Sequence, residues 1–308
     1  MIATTGFFDG VHLGHRLVIE RLVSMARERG DESLVVTFWP HPRAVLQDGA
    51  RELRLLNALE EKKELLRALG VDRVEVLDFT RSFAALTAEQ YLREILRDRF
   101  GVTTLLMGYD NRLGSDRLTA AALKQIADGI GMELVELSPL SFRASEAPLS
   151  FRAEPQAESR NLEISSTQIR AALENGDIKS ATEMLGYGYA LKGVVVAGNR
   201  LGRTIGFPTA NMRLYEPLKL VPGRGVYVVE AEVLGKRYRG MTNIGLRPTV
   251  GGSFTTIETH ILDFDEDIYG LPLRITFLRR LRDEVHFPSL EALKDQLEKD
   301  RDCCREQK

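Results

Sequence analysis

The sequence predicts two domains of different class: an N-terminal doubly wound α/β domain, then a C-terminal antiparallel β-barrel that ends in a helix. A length of 308 residues suits two domains better than one. Through the first half, short apolar runs alternate with helical patterns, which is typical of a parallel sheet covered by helices. After Gly186 the runs become strand-like and are separated by glycine, proline and charged turns. We therefore expect domains at residues 1–184 and 185–308.

Periodicity and helix-end signals predict the individual elements. In the first domain we expect strands at residues 2–5, 33–38, 74–77, 104–107 and 133–137, and helices at residues 14–29, 58–69, 87–99 and 119–128. Helices at 166–173 and 178–185 lead to barrel strands at 194–197, 225–233, 237–243, 256–262 and 273–278, with a closing helix at 289–299. The capping-box pair Thr87 and Gln90 marks one helix start.

Residues 139–161 interrupt this pattern. They are rich in serine, proline, alanine and arginine, and they contain the six residues PLSFRA twice, at 139–144 and 148–153. The segment is interpreted as a mobile loop with a local duplication or, alternatively, as a lid over a ligand.

Composition excludes several classes of function. A net charge of −2 and a pI near 6.3 provide no general attraction to nucleic acid or to an anionic membrane, so we expect no nucleic-acid partner. No run of about 18 apolar residues occurs, so no membrane-spanning segment is expected. Residues 1–6 carry no basic-then-apolar leader, and the cysteines, Cys303 and Cys304, lack the spacing of a disulfide framework or a metal site. We expect a cytoplasmic protein.

The first chemical motif, GFFDGVHLGH at residues 6–15, follows a predicted strand and opens a helix. Gly14 lets a phosphate pack against the helix start, where free N–H groups favour anions. His12 and His15, three residues apart, can point at the same phosphates and donate hydrogen bonds to charge that develops on phosphorus. The alternatives are two surface histidines or half a zinc site, although no third or fourth zinc ligand lies nearby in the sequence.

A second element, ISSTQIR at residues 164–170, places hydroxyl groups at another helix start and Arg170 one turn later. Alone it is an ordinary helix cap, but paired with the two histidines it resembles the nucleotidylyltransferase superfamily. Together with TFWPHP at residues 37–42, the motifs resemble the FAD synthetase branch of that superfamily in particular.

The resemblance implies a site for ATP and FMN in the first domain. It places Gly6, Phe7 and Asp9 along the ATP, and the phosphates against His12, Gly14, His15, Ser165, Ser166, Thr167 and Arg170. The implied reaction is in-line attack of an FMN phosphate oxygen on the α-phosphate of ATP-Mg²⁺, which releases pyrophosphate and forms FAD. Positioning and electrostatics suffice for such a transfer, without a covalent nucleophile.

A third motif, GNRLGRTIGFPTAN at residues 198–211, is rich in glycine and basic residues. It is not a P-loop, because the spacing is wrong and the lysine is missing. Its N–H groups and Arg203 can hold phosphates, and the Thr209 hydroxyl and Asn211 amide oxygens are hard ligands suited to Mg²⁺. The segment resembles the riboflavin kinase signature, which implies a kinase ATP site at Gly202, Arg203, Gly206, Pro208, Thr209 and Asn211.

Residues 240–249 and 258–262 also resemble that kinase family. The resemblance implies that Glu258 is the general base for the ribityl 5′-hydroxyl as it attacks the γ-phosphate of ATP. It implies flavin contacts at Asn243, Arg282 and Glu284. A lone glutamate in a strand is otherwise a residue of a solvated face, and His260, on the same face by strand period, is interpreted as structural.

Both resemblances together cover roughly residues 1–300, in the order of the bifunctional riboflavin kinase/FAD synthetase family of bacteria. They imply riboflavin, FMN and ATP as substrates, Mg²⁺ as cofactor and FAD as final product; the oligomeric state is left open. Two alternatives stand. The first is a riboflavin kinase with a weakened or inactive adenylyltransferase half, because Leu113 stands where the family often has an aromatic residue and the chain begins within its first strand. The second is a non-catalytic flavin-binding protein.

Overall fold

A computed structural model describes residues 1–47, 53–108, 113–137, 164–198, 201–249 and 252–305. The chain divides into two compact units, residues 1–166 and 167–308. The repeated PLSFRA segment and two residues of the glycine-rich motif, Asn199 and Arg200, lie outside the described residues. Within the described ranges, no helix combines the length and the apolarity needed to cross a membrane.

The first unit is built on a parallel sheet with the strand order β3-β2-β1-β4-β5. The strands are β1 Ile2–Thr5, β2 Ser33–Trp39, β3 Arg73–Asp78, β4 Thr104–Met107 and β5 Glu133–Glu136. The chain extends the sheet in one direction from β1 and then in the other from β4, so the strand order reverses between β1 and β4. In such sheets ligands bind outside the carboxyl ends of the strands at the point of reversal. The predicted doubly wound α/β domain is confirmed.

Helices cover both faces of this sheet. They are α1 Leu13–Arg29, α2 Pro42–Leu46, α3 Leu59–Ala68, α4 Arg81–Ala84, α5 Ala88–Gln90 and α6 Ala120–Gly129. The capping box is present, since Thr87 accepts from the Gln90 N–H and Gln90 accepts from the Thr87 N–H. The helix it opens becomes a π-helix over Tyr91–Arg99, where an ordinary α-helix was predicted. Buried Tyr91 and Leu96, five residues apart, fit the wider turn.

The second unit contains a closed antiparallel barrel with the strand order β10-β7-β6-β11-β8-β9. The strands are β6 Ala190–Val196, β7 Ala210–Leu214, β8 Gly225–Val233, β9 Lys236–Thr249, β10 Gly252–Ile261 and β11 Pro272–Arg282. Strand β7 was missed by the sequence analysis, because five residues directly after a glycine- and proline-rich string look like the end of a turn. It closes the barrel by pairing with β6 and β10.

Four helices of the described residues accompany the barrel: α7 Ser166–Glu174, α8 Ile178–Leu185, α9 Leu201–Thr204 and α10 Leu290–Arg305. The end of α7 is fixed to the barrel, because the Gly223 N–H donates to the Leu173 carbonyl at 2.8 Å. A Cβ on Gly223 would collide with the Glu174 carbonyl, so this approach requires glycine. The compact second unit therefore begins before the boundary predicted at 184/185, and it includes both helices that precede the barrel.

Candidate active sites

The loop after β1 holds most of the first motif. Phe8, Gly10 and Val11 have φ angles of 53°, 88° and 37°, and the left-handed region is costly for phenylalanine and valine. The loop is held by the buried carboxylate of Asp9, which accepts from the N–H groups of Leu56 at 3.0 Å and Asn57 at 3.3 Å. This carboxylate thus binds protein backbone and fixes the shape of the loop.

The two histidines of the motif lie together at the start of α1. His12 is the N-cap residue, and its Nδ1 accepts from the His15 N–H at 3.4 Å. The two rings stack with centroids 3.6 Å apart, and the Phe8 ring meets His15 edge-on at 5.4 Å. Burial lowers the pKa of His12 to about 4 and lowers the pKa of His15 well below its usual value. Both rings are therefore neutral at physiological pH.

The hydrogen bond to its Nδ1 assigns the proton of neutral His12 to Nε2, which leaves that atom as a donor. The Nδ1 atom of His15 is buried and has no hydrogen-bond partner among the described residues. The helix start thus presents neutral N–H donors and free helical N–H groups, a combination suited to phosphate oxygens.

Lys62 was not singled out by the sequence analysis, yet it lies directly behind this loop. It is fully buried, and its Nζ donates to the Phe7 carbonyl at 2.7 Å and to Thr37 Oγ1 at 3.2 Å. The ammonium lies 3.6 Å from the centroid of the Phe7 ring. Burial lowers the pKa of Lys62 to about 7, although the nearby charge of Asp9 acts in the opposite direction and raises the pKa. In the sequence Lys62 is one of two adjacent lysines in a charged helix, and only the fold distinguishes them.

A cavity of about 450 Å³ opens beside Gly6 and Phe7 at the carboxyl edge of the sheet. Its wall is largely aromatic and apolar, with Phe38, Phe79, Phe83, Tyr91 and Leu113 among the lining residues. The ring of Phe38 lies 5.8 Å from Phe79 and 5.6 Å from Phe83, centroid to centroid. A planar aromatic ligand can stack in such a pocket. Although residue 113 is a leucine, the aromatic wall is supplied by strands and helices elsewhere in the unit.

The second element of the predicted nucleotidyl-transfer site is placed in part. Ser166 Oγ donates to the Asp9 carbonyl at 2.8 Å, and both residues belong to the first unit. Ser165, just before α7, is exposed. Thr167 and Arg170 lie in α7 within the second unit, so their contribution to the phosphate site stays a prediction.

Residues 201–207 of the glycine-rich motif form a tight turn ahead of β7. Arg203 lies in the short helix α9, and the chain returns when the Phe207 N–H donates to the Gly202 carbonyl at 2.8 Å. A Cβ on Gly202 would collide with the carbonyl oxygen of Phe207, and Gly206 has a φ of 83°. Both glycines are required by the turn itself.

Strand register brings the predicted kinase residues together. Glu258 on β10 lies opposite Asn211 on β7 and opposite Asn243 on β9. Thr209 Oγ1 donates to Glu258 Oε2 at 3.4 Å. A carboxylate, a hydroxyl and two amides, from residues far apart in sequence, thus lie at one place on the barrel.

Two cavities of the barrel unit meet at Thr209. One, of about 490 Å³, is lined by Arg203, Pro208 and the acidic residues 265–267. The other, of about 560 Å³, is lined by Gly202, Glu258 and Asn243 and by the apolar face of α10, including Leu293 and Leu297. Thr209 lines both cavities. Each is of a size that holds a small molecule.

The predicted flavin contacts Arg282 and Glu284 both line the larger cavity. Arg282 is bound by a nearby acid, because its Nε and Nη2 donate to the Asp300 carboxylate at 3.0 and 2.8 Å. Asp300 lies in α10, is 4% exposed, and also accepts from Gln296 at 2.9 Å. Arg282 therefore fastens α10 onto the barrel beside the cavity. The sequence analysis missed Asp300, which looks like any charge of an exposed helix.

His260 also borders the larger cavity. Its Nδ1–H donates to the Pro208 carbonyl at 2.8 Å, and burial lowers its pKa. This bond ties β10 to the turn before Thr209, as the structural interpretation of His260 expects.

Comparisons with known proteins agree with this division into two sites. Residues 1–148 match the family model of FAD synthetase, and residues 185–308 match the family model of riboflavin kinase. A crystal structure of a macrolide-efflux protein from Streptococcus pneumoniae is 32% identical in sequence and superposes with a TM-score of 0.86. The match covers 100% of this chain and 94% of that protein's chain, and this likeness concerns the fold.

Two curated relatives match almost the whole chain. The bifunctional riboflavin kinase/FMN adenylyltransferase of Bacillus subtilis (strain 168) is 35% identical over 305 residues, covering 97% of this chain and 90% of the relative. The protein of that name from Escherichia coli (strain K12) is 37% identical over 306 residues, covering 99% and 92%. The chain belongs to the family of bifunctional riboflavin kinase/FMN adenylyltransferases.

Proposed function

We propose that the barrel unit phosphorylates riboflavin to FMN and that the site after β1 adenylylates FMN to FAD, each with ATP. Family membership makes the chain a transferase of both kinds. The observation that carries the assignment of the kinase site is that Thr209 lines both ligand-sized cavities and donates to Glu258, which lines the larger one. A phosphoryl group must pass from one bound molecule to another, and this is the place where both can meet.

In the kinase site, riboflavin occupies the larger cavity against the apolar face of α10, and ATP occupies the cavity with Arg203. Glu258 accepts the proton of the ribityl 5′-hydroxyl as that oxygen attacks the γ-phosphate. Arg203 and Pro208 border the ATP side, the turn held by Gly202 and Gly206 carries the N–H groups that hold the phosphates, and Asn243, Arg282 and Glu284 line the flavin side.

The oxygen atoms near Glu258 also fit Mg²⁺. Thr209, Asn211 and the carboxylate offer hard oxygen ligands close together, which Mg²⁺ prefers. We propose that Thr209 and Asn211 hold the ion that accompanies ATP. When bound, the ion neutralises charge on the phosphates during transfer.

In the adenylyltransferase site, the Nε2–H of His12 and the ring of His15 donate hydrogen bonds to the α-phosphate as FMN attacks it. Neutral imidazoles suit this role, because their N–H groups stabilise developing charge without a change of protonation. Gly14, Ser165 and Ser166 complete the phosphate cradle, and the aromatic cavity beside Gly6 and Phe7 takes the flavin ring.

We place the boundary between the catalytic domains at 184/185, with α7 and α8 packed on the barrel as connecting helices. A fragment of residues 185–308 that makes FMN from riboflavin would support this boundary. Activity that appears only when the fragment begins at 167 would move the boundary to the edge of the compact unit.

We also propose a cytoplasmic location. The need of both transfers for ATP and the two free cysteines, Cys303 and Cys304, support it.

The decisive experiment incubates the full chain with riboflavin, ATP and Mg²⁺ and separates the products by chromatography. FAD is expected. FMN alone would favour the alternative with an inactive adenylyltransferase half, and unchanged riboflavin would favour a flavin-binding protein without catalysis.

A further inference from the structure

The loop that carries the adenylyltransferase histidines is under backbone strain, and one buried cation lies behind it. Phe8 and Val11 adopt left-handed angles, which side chains rarely tolerate without compensating contacts. The Phe7 carbonyl, one residue earlier, is the acceptor for both Lys62 Nζ and Thr37 Oγ1. Lys62 and Thr37 also bind each other at 3.2 Å.

We propose that Lys62 is a positioning residue for adenylyl transfer, which fixes the Phe7 carbonyl and thereby aims the loop that carries His12 and His15. The inference rests on the proposed function of that loop. Lys62 is 0% exposed and is enclosed by protein, so it acts through the backbone of Phe7 and through the Phe7 ring above its ammonium.

A buried ammonium is an expensive way to hold a loop, which argues for a functional reason. Removing a charged group from water is unfavourable and is offset only by good hydrogen bonds and nearby charge. Lys62 has two oxygen acceptors, an aromatic face at 3.6 Å and the electrostatic attraction of Asp9. The loop is thus pinned from two sides, by Lys62 at Phe7 and by the Asp9 carboxylate at the N–H groups of Leu56 and Asn57.

The test compares Lys62→Met with Lys63→Met in the full chain. Lys63 is the next residue of α3 and pairs at the surface with Glu60, so its variant controls for loss of a lysine from this helix. For each protein, kcat and KM for FAD formation from FMN and ATP are measured per folded molecule, with riboflavin phosphorylation in the same sample as reference. Lys62→Met should lower kcat of adenylylation by about 10²-fold, the effect of a misplaced reacting group, and leave phosphorylation unchanged.

A second variant keeps the proposal testable where Lys62→Met does not fold. Thr37→Val removes the other donor to the Phe7 carbonyl with little change of shape and should lower kcat by about fivefold. Because both side chains act on the same acceptor, the double variant should be no slower than Lys62→Met alone.

Parental kcat in folded Lys62→Met, or two effects that multiply independently, would overturn the positioning role. If Lys62→Met does not fold, parental kcat in Thr37→Val overturns it alone. Failure of the parent chain and of Lys63→Met to form FAD would instead count against the proposed function of the loop.

Discussion

The two regions proposed to bind phosphates present opposite chemistry. The loop after β1 presents nitrogen donors from His12 and His15, whose rings are kept neutral by burial. The turn before β7 gathers oxygen atoms from Thr209, Asn211 and Glu258. A transfer to the α-phosphate that needs no base can rely on N–H donors, whereas deprotonation of a sugar hydroxyl needs a carboxylate. The difference matches the nucleophile proposed for each site, a phosphate oxygen in one and a hydroxyl in the other.

The two sites also differ in how they are built. In the first unit the groups belong to one loop, whose strained shape depends on buried side chains brought from elsewhere. In the barrel the groups belong to paired strands, whose register sets their distance. Variants should therefore damage one activity and spare the other.

The largest effect is expected for Glu258→Gln. Loss of a general base should slow riboflavin phosphorylation by about 10²–10⁴-fold, while adenylylation of added FMN continues at the parental rate. The control is Glu230→Gln, an acid of the exposed pair with Arg237 on the same barrel. A near-parental kinase rate for Glu258→Gln would remove this residue from the mechanism.

The reciprocal variant is His12→Ala with His15→Ala. Loss of one such donor typically costs about 10²–10³-fold, so synthesis from riboflavin should stop at FMN. Phosphorylation should stay at the parental rate, as followed by chromatography of the products. Loss of kinase activity in a folded double variant would show that the two sites are coupled.

A smaller effect is expected where α10 meets the barrel. Asp300→Asn breaks the pair with Arg282, whose side chain is 20% exposed, and should lower the unfolding free energy by about 2 kcal/mol. Because α10 lines the larger cavity, KM for riboflavin should rise as well. Asp302→Asn, on the exposed side of the same helix, should change neither quantity measurably. Equal effects of the two variants would contradict the role of Asp300.

The smallest effect concerns pH. The pKa of His12 is about 4 in the folded chain and about 6.5 when unfolded, so below pH 6.5 the unfolded chain binds a proton that the folded chain does not. Stability is therefore lost as pH falls from about 6.5 towards 4, by roughly 1 kcal/mol from His12 at pH 5.5. The His12→Asn variant keeps a helix-capping oxygen, and its thermal unfolding temperature should depend less on pH over this window than that of the parent. His286→Asn, in the other unit, serves as control and should keep the parental slope.

Much of the fold and the family could be predicted from the sequence, because the signals for them lie in short contiguous segments. The parallel sheet follows from short apolar runs that alternate with helices, and the motifs near His12 and Thr209 are contiguous strings. What the sequence did not provide depends on pairing across the fold. Strand β7 is visible only through its partners β6 and β10, and Asp300 only through Arg282.

Lys62 illustrates the same limit. Its neighbour Lys63 has the same charge and propensity, and helix phase combined with the position of the loop decides which one is buried. The aromatic wall beside Gly6 is likewise assembled from residues that no single contiguous motif contains, which is why Leu113 looks like a defect in the sequence and lies within an aromatic cavity in the structure.

The central claim is that the chain carries two separate transferases, and complementation tests it most directly. Glu258→Gln and the His12→Ala, His15→Ala variant are each incubated with riboflavin, ATP and Mg²⁺, alone and mixed. Alone, the first should leave riboflavin and the second should stop at FMN. Mixed, they should make FAD, because FMN released by one chain is adenylylated by the other. A mixture that makes no FAD, because folded Glu258→Gln does not adenylylate added FMN or because the folded histidine variant makes no FMN, would contradict two separate transferases.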